Sequence, residues 1–134
     1  MKNLIEYKNK NNVVYACTYH VIFCPKYRRK VLIDGVDIRL KDIIYTEAEK
    51  MQVTIRELEV MEDHVHILID VDPQLGIHTA VKRLKGISSS ILRKEFTWLK
   101  SRIPTLWTNS YFVATTDGVS LEVIKQYIEN QKGV

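Results

Sequence analysis

His64-Val65-His66-Ile67-Leu68-Ile69-Asp70-Val71 is the stretch on which the fold turns. In an extended strand successive side chains point to opposite faces, so Val65, Ile67, Ile69 and Val71 form one wholly apolar face, and His64 and His66 project together from the other. Just upstream, Val53 to Val60 also alternates, with Val53 and Ile55 set against Thr54 and Arg56. Met61-Glu62-Asp63 is a short connection, so the two strands read as an antiparallel hairpin.

Outward from that hairpin, each apolar strand face needs a partner layer. On the N-terminal side, Ile38, Leu40, Ile43, Ile44, Ala48 and Met51 recur at helical spacing, which predicts an amphipathic helix from Asp34 to about Lys50. Before it, Val13 to Phe23 is rich in β-branched and aromatic residues and reads as a strand that Pro25 ends. On the C-terminal side, Asp72-Pro73 marks a break and a helix start. Ile77, Ala80, Val81, Leu84, Ile87, Ile91 and Leu92 then form an apolar stripe, regular enough to outweigh the roughly 1 kcal/mol that Gly86 costs a helix relative to alanine. Leu106 to Thr115 reads as a further strand and Thr116-Asp117-Gly118 as a loop. Ser120 is an N-cap for a last helix, about 120–132, carrying Val123, Ile124, Tyr127, Ile128 and Gln131. The order is βαββαβ plus a helix. It predicts an α+β, ferredoxin-like split βαβ fold: a four-stranded antiparallel sheet with two helices on one face, in one domain over residues 1–134.

Composition fits a globular chain: 134 residues, 46% hydrophobic and 27% charged. Net charge is +4 and the pI near 9.0, which leans towards a polyanionic partner. The cations concentrate at Lys26-Tyr27-Arg28-Arg29-Lys30, four in five residues around one aromatic. A solvated turn and a phosphate-contacting surface both fit that run. No window approaches the roughly 20 apolar residues of a membrane helix, and the N-terminus carries charges where a signal peptide needs an apolar stretch. The expected location is the cytoplasm, with no membrane partner. Cys17 and Cys24, seven apart on one expected strand, are too far apart to bridge.

Chemistry can be read at two places. His64 and His66, on one strand side, can ligate a single divalent ion, or can simply line a half-solvated sheet face. On the last helix, Tyr127 and Gln131 are four apart and so neighbours on one face. A phenol can attack a phosphodiester if a metal ion neutralises the phosphoryl oxygens, and the Gln131 amide oxygen can complete the metal shell. A tyrosine on an amphipathic helix can equally be a core or interface residue.

Glu62-Asp63-His64-Val65-His66-Ile67-Leu68 resembles the HUH motif (His, bulky hydrophobe, His) of the single-tyrosine transposases, the TnpA type, which move insertion sequences as single-stranded DNA. Four further segments resemble the same family in the same order. They are Tyr19 to Arg29 (Tyr-His-Val-Ile-Phe-Cys-Pro-Lys-Tyr-Arg-Arg), Leu84-Lys85-Gly86, Leu106 to Phe112 (Leu-Trp-Thr-Asn-Ser-Tyr-Phe) and Tyr127-Ile128-Glu129-Asn130-Gln131. The likeness implies that Tyr127 attacks a scissile phosphate, forming a 5′-phosphotyrosine and releasing a 3′-hydroxyl whose return rejoins DNA. It implies Mg²⁺ or Mn²⁺ held by His64, His66 and Gln131. It also implies DNA hairpins at element ends as substrate, and a homodimer in which the tyrosine helix of one subunit completes the other's site. Lys26, Tyr27, Arg28, Arg29 and Lys30, with Lys82, Lys85 and Arg93 on the second helix, are then the expected DNA contacts. Gln131 lies near the end of the chain, where a terminus tends to fray.

Two alternatives come from other classes. One is an HUH nickase of the replication-initiator type, which shares the histidine pair and tyrosine. The other is a non-catalytic, domesticated nucleic-acid-binding protein of ferredoxin-like fold, against which stands the joint presence of both histidines, Tyr127 and Gln131. His20 carries no assigned role; sharing a strand face with Thr18 and Ile22, it reads as packed or hydrogen-bonded.

Overall fold

A computed structural model describes residues 7–10, 13–115 and 120–134. Its elements are β1 (Lys8–Lys10), β2 (Val13–Tyr15), β3 (Thr18–Phe23), α1 (Val36–Met51), β4 (Thr54–Met61), β5 (His64–Asp70), α2 (Ile77–Glu95), α3 (Leu99–Arg102), β6 (Phe112–Thr115) and α4 (Leu121–Glu129). Four strands form one antiparallel sheet in the order β4-β5-β3-β6. This is the ferredoxin-like order, with β5 and β3 central.

The apolar face behaves as the alternation predicts. Val65, Ile67 and Ile69 of β5 and Val21 and Phe23 of β3 are buried, as are Leu40, Ile43 and Ile44 of α1 and Ala80, Val81, Leu84 and Leu92 of α2. Each of these side chains larger than alanine contributes about 1.5–3 kcal/mol when withdrawn from water. A bulge between Ile55 and Glu57 inserts Arg56 as an extra residue in β4, and its guanidinium reaches Asp70 on the polar face.

Several boundaries differ from expectation, each for a local reason. Val13 to Phe23 is two strands: β2 leaves the main sheet and pairs with β1 in a separate hairpin, Lys8 opposite Tyr15. Leu106 to Thr115 keeps only β6 as ladder. Its first part crosses the end of the sheet, bridging Trp107 to Pro25, and is held by Thr108 N–H donating to the Cys24 carbonyl. Asp72-Pro73 opens a turn rather than the helix, the Asp72 carboxylate accepting from Leu75 N–H, and α2 begins at Ile77. α1 starts at Val36, after a left-handed Gly35 whose added Cβ would meet the Phe96 ring at 3.4 Å. With Val36 and Leu40 inward, Ile38 lies about 200° around the helix and is 73% exposed, not part of the buried stripe. Cys17 and Cys24 are both free thiols. Among the described residues no helix is long and apolar enough to cross a membrane. The expected Thr116-Asp117-Gly118 loop lies outside the described residues.

Candidate active site

The polar face of the sheet is the one α1 and α2 leave open. Register places Ile22 opposite His66 on one side and opposite Phe112 on the other, so these three share that face. Ile22 is nonetheless completely buried, because α4 lies across β3 of its own chain. The last helix thus roofs part of the open face. Ser120 caps it as expected, its hydroxyl accepting from Val123 N–H at 3.3 Å.

Tyr127 stands on the inner side of α4, its ring 5.6 Å from that of Phe112 and its hydroxyl 2.8 Å from Ser110 Oγ. Burial pushes the phenol above its usual pKa, while the hydrogen bond to Ser110 acts the other way. Gln131 lies in the turn beyond α4, and its amide oxygen accepts from the same serine hydroxyl at 3.3 Å. A serine hydroxyl has one proton to give, so with that proton on Gln131 the phenol donates to Ser110. Gln131 is packed in, 7% exposed, and the residues after it fold back, Val134 accepting through its carbonyl oxygen from Tyr27 N–H.

At the neighbouring end of β5, His64 Nδ1 is 2.9 Å from Asp63 Oδ1. Asp63 is paired through its other oxygen with Arg28 Nε at 3.3 Å. Arg28 in turn donates to the Ile128 carbonyl and to Glu129, both at 3.3 Å. One guanidinium therefore ties the carboxylate behind His64 to the helix carrying Tyr127. His66 points the same way as His64 but meets a partner the sequence did not assign: its Nε2 is 3.0 Å from His20 Nδ1. Burial and the His20 ring lower the His66 pKa, favouring the neutral imidazole that metal ligation requires.

Does this donor set fit a divalent ion? A carboxylate on His64 Nδ1 fixes the tautomer and leaves Nε2 as the ligating nitrogen, the usual arrangement behind metal-bound histidine. Gln131 supplies an amide oxygen with a second lone pair. A ligand at His66 Nε2 would replace the hydrogen bond to His20. Among the described residues, no group of three or more His, Cys, Asp or Glu side chains converges as a metal site. The fit rests on two imidazoles and an amide.

The expected DNA contacts divide sharply. Lys26, Tyr27, Arg29 and Lys30 sit on the surface turn, and Lys82 is exposed on α2. Three other cations are used inside the protein. Arg28 is the tie just described. Lys85 donates to the Thr108 and Ser110 carbonyls at 2.8 and 2.9 Å, and burial pushes its pKa down to about 8. Arg93 donates to the Ile103 carbonyl at 3.1 Å. Sequence reasoning missed Ser110, His20 and the Arg28–Asp63 pair as site residues. Ser110 lies in Leu106 to Phe112 and His20 in Tyr19 to Arg29, but no spacing links either to Tyr127 or His66.

A ferredoxin-like sheet whose open face carries a histidine pair under a tyrosine helix defines a class, the tyrosine transposases. Residues 13–131 match the family described as "Transposase IS200 like", and the chain belongs to that family, enzymes that cleave and transfer DNA strands. It is 37% identical over 129 residues to the ISDra2 transposase TnpA of Deinococcus radiodurans, covering 95% of this chain and 92% of that protein. It is 32% identical over 119 residues to the transposase for insertion sequence element IS200 of Salmonella typhimurium, covering 87% and 78%. A crystal structure described as a Deinococcus radiodurans transposase superposes with a TM-score of 0.82 at 40% identity, over 95% of this chain and 99% of that one. A REP-associated tyrosine transposase, solved bound to a REP hairpin, shares the fold at a TM-score of 0.53 and 13% identity, over 96% of this chain and 69% of its own.

Proposed function

We propose that this transposase, working as one domain in the cytoplasm, cleaves and rejoins single-stranded DNA at insertion-sequence ends with Tyr127 as nucleophile. The observation that carries the reading is the shared serine. Ser110 Oγ lies 2.8 Å from the Tyr127 hydroxyl and 3.3 Å from Gln131 Oε1, which joins the nucleophile to an amide ligand on the face that carries His64 and His66. The Tyr127 oxygen attacks the scissile phosphorus, and the 3′-oxygen leaves. The phenol proton starts on the Ser110 side, which leaves the oxygen's lone pairs free for attack; it is given up to solvent as the O–P bond forms, and the departing 3′-oxygen takes up a proton to leave as the 3′-hydroxyl. A 5′-phosphotyrosine results, and the reverse attack by a 3′-hydroxyl restores the phosphodiester and the phenol. His64, His66 and Gln131 would hold Mg²⁺ or Mn²⁺, which when bound neutralises charge on the phosphoryl oxygens. Hairpin DNA is the proposed substrate form, as it is the ligand in the REP-associated transposase of like fold.

Tyr127→Phe removes one hydroxyl and leaves the ring against Phe112. Incubated with element-end DNA and Mg²⁺, wild-type protein should give a covalent adduct on a denaturing gel and the variant none. An adduct with the phenylalanine protein would refute the assignment.

We further propose a homodimer whose tyrosine helices are exchanged between subunits. The Arg28 bonds to Ile128 and Glu129, formed here within one chain, are the contacts that exchange would open and remake. Mixing Tyr127→Phe with His64→Ala,His66→Ala protein should restore roughly a quarter of wild-type activity, since about half the dimers are mixed and each has one intact site. No recovery, with subunit exchange verified, would mean that Tyr127 serves its own chain's histidines.

A further inference from the structure

Beside the Tyr127 site, the basic turn walls a solvent-open hollow of about 560 Å³ lined by Tyr27, Arg28, Arg29, Lys30, Ser101 and Arg102. A second hollow of about 260 Å³, lined by Ile33, Asp34, Trp98 and the same Ser101 and Arg102, continues it. Together they form a trough between the basic turn and α3. The first hollow alone is the size of a small-molecule site.

Four observations say what it would take. Its cations are not all used internally: neither Arg29 nor Arg102 has a carboxylate partner among the described residues, and the contacts made by their guanidinium groups are with the Tyr27 and Trp98 rings. Tyr27 is 41% exposed, with Lys26 Nζ 5.1 Å and the Arg29 guanidinium 6.0 Å from its ring centre. The backbone there is unusual, since Tyr27 and Arg28 both adopt left-handed conformations (φ 59° and 51°) that L residues take at a cost. That geometry is held in place by Arg28 on Asp63 and Glu129 and by Tyr27 N–H on the Val134 carbonyl. The turn therefore presents an aromatic face flanked by the cations of Lys26 and Arg29, fixed by contacts that reach the Asp63 carboxylate behind His64 and the tyrosine helix.

We propose that this trough holds one unpaired nucleotide of the DNA strand, its base stacked on Tyr27 and its phosphates on Arg29 and Arg102. Stacking accepts any base, so the site grips a single strand without reading its sequence. The inference rests on the proposed action on single-stranded DNA and adds α3 to the surface that binds it.

The test uses a fluorescein-labelled 12-nucleotide oligothymidine, a blunt 12-base-pair duplex as control, and anisotropy titration of the full chain. Arg102→Gln and Tyr27→Ala should each weaken oligothymidine binding about fivefold or more. Tyr27→Phe, which keeps the stacking face, should stay within about twofold of wild type. Arg102→Gln should also flatten the dependence of log affinity on log salt by about one phosphate contact. Lys100→Gln changes the same charge two residues away, outside the trough, and should cost less than about twofold. Equal losses for Lys100→Gln and Arg102→Gln would mean diffuse attraction and overturn the site. So would equal losses on the duplex, or a Tyr27→Phe loss matching Tyr27→Ala. All variants sit on the surface, and far-UV circular dichroism checks their folding. Tyr127→Phe should bind the oligonucleotide normally, so loss of the trough and loss of the nucleophile give separate readouts.

Discussion

The open face of the sheet has two ends, and they use polar side chains in opposite ways. At one end Asp70, almost fully buried, is saturated. It accepts from the Thr18 hydroxyl, takes both oxygens onto Arg56 at 2.7–2.9 Å and has Lys8 nearby at 3.9 Å. Next to it, Asp72 pairs with Lys10 at 3.2 Å, and these two lysines tie the β1–β2 hairpin to the sheet. At the other end, His64 engages one ring nitrogen, Gln131 one lone pair, and the Tyr127 hydroxyl meets another hydroxyl. A saturated cluster has nothing left to offer a ligand and so serves stability, whereas open valences on a preorganised frame serve chemistry.

The contrast can be broken by substitution, and the largest effects fall at the histidine end. His64→Ala or His66→Ala should lower adduct formation on the order of a thousandfold, the loss of several kcal/mol of charge stabilisation at the phosphate. Excess chelator should do the same to intact protein. The urea midpoint should change little, because both rings are partly exposed. Asp63→Asn is subtler. It removes the carboxylate behind His64 but not the ring, and should cost about 10- to 100-fold, recoverable at raised Mn²⁺. If Asp63→Asn equals His64→Ala and added metal restores nothing, Asp63 does more than orient the imidazole.

At the saturated end the sign reverses. Asp70→Ala deletes several charged hydrogen bonds at once, yet leaves Arg56 and Lys8 near enough to solvent to hydrate. A stability loss of about 2–3 kcal/mol in urea is expected. Adduct formation per folded molecule should survive. A protein that keeps its stability but loses its chemistry would show that the two ends are not separable.

How much of this division was legible in the sequence depends on whether a relation is local. The His64–Val71 alternation fixed the sheet's two faces, and Ser120 fixed the start of α4, because both depend on near neighbours. The β1–β2 hairpin was hidden because Val13 to Phe23 is uniformly strand-forming, and its split reflects a choice of partner, Lys8 opposite Tyr15. Ile38 misled because an apolar residue at roughly helical spacing need not face the core once the helix start fixes its phase. Ser110, 17 residues from Tyr127, and His20, 46 from His66, meet their partners only through the tertiary fold. Positive charge says least about geometry: Lys85 and Arg93 fit DNA contacts by type and helix face, and the fold adds bonds from both to carbonyls within the protein, which no local pattern announces.

The smallest expected effect concerns pH, and it separates the two ends by window rather than by sign. Burial opposes ionisation of Asp72, but the Leu75 N–H and Lys10 outweigh it, so its pKa lies below the ordinary carboxylate value. A depressed acid contributes stability that is present above its unfolded pKa and lost as pH falls through the folded one. Lys85 has its pKa depressed by burial from 10.5 to about 8. Its unfolded form binds the proton more tightly, so folding carries a penalty below about pH 8 that is relieved as pH rises towards 10.5. Full burial of a change that large would be worth about 3 kcal/mol; the ammonium is only half-buried, so solvent screening leaves about 1 kcal/mol. Urea titrations should therefore show an acid loss that Asp72→Asn reduces and a gain from pH 7.5 to 9.5 that Lys85→Met removes. The second variant also frees the Thr108 and Ser110 carbonyls, so its stability at pH 9.5 should fall below wild type, because only the wild-type amine still bonds them. A Lys85→Met protein that keeps the wild-type slope between pH 7.5 and 9.5 would place the titrating group elsewhere.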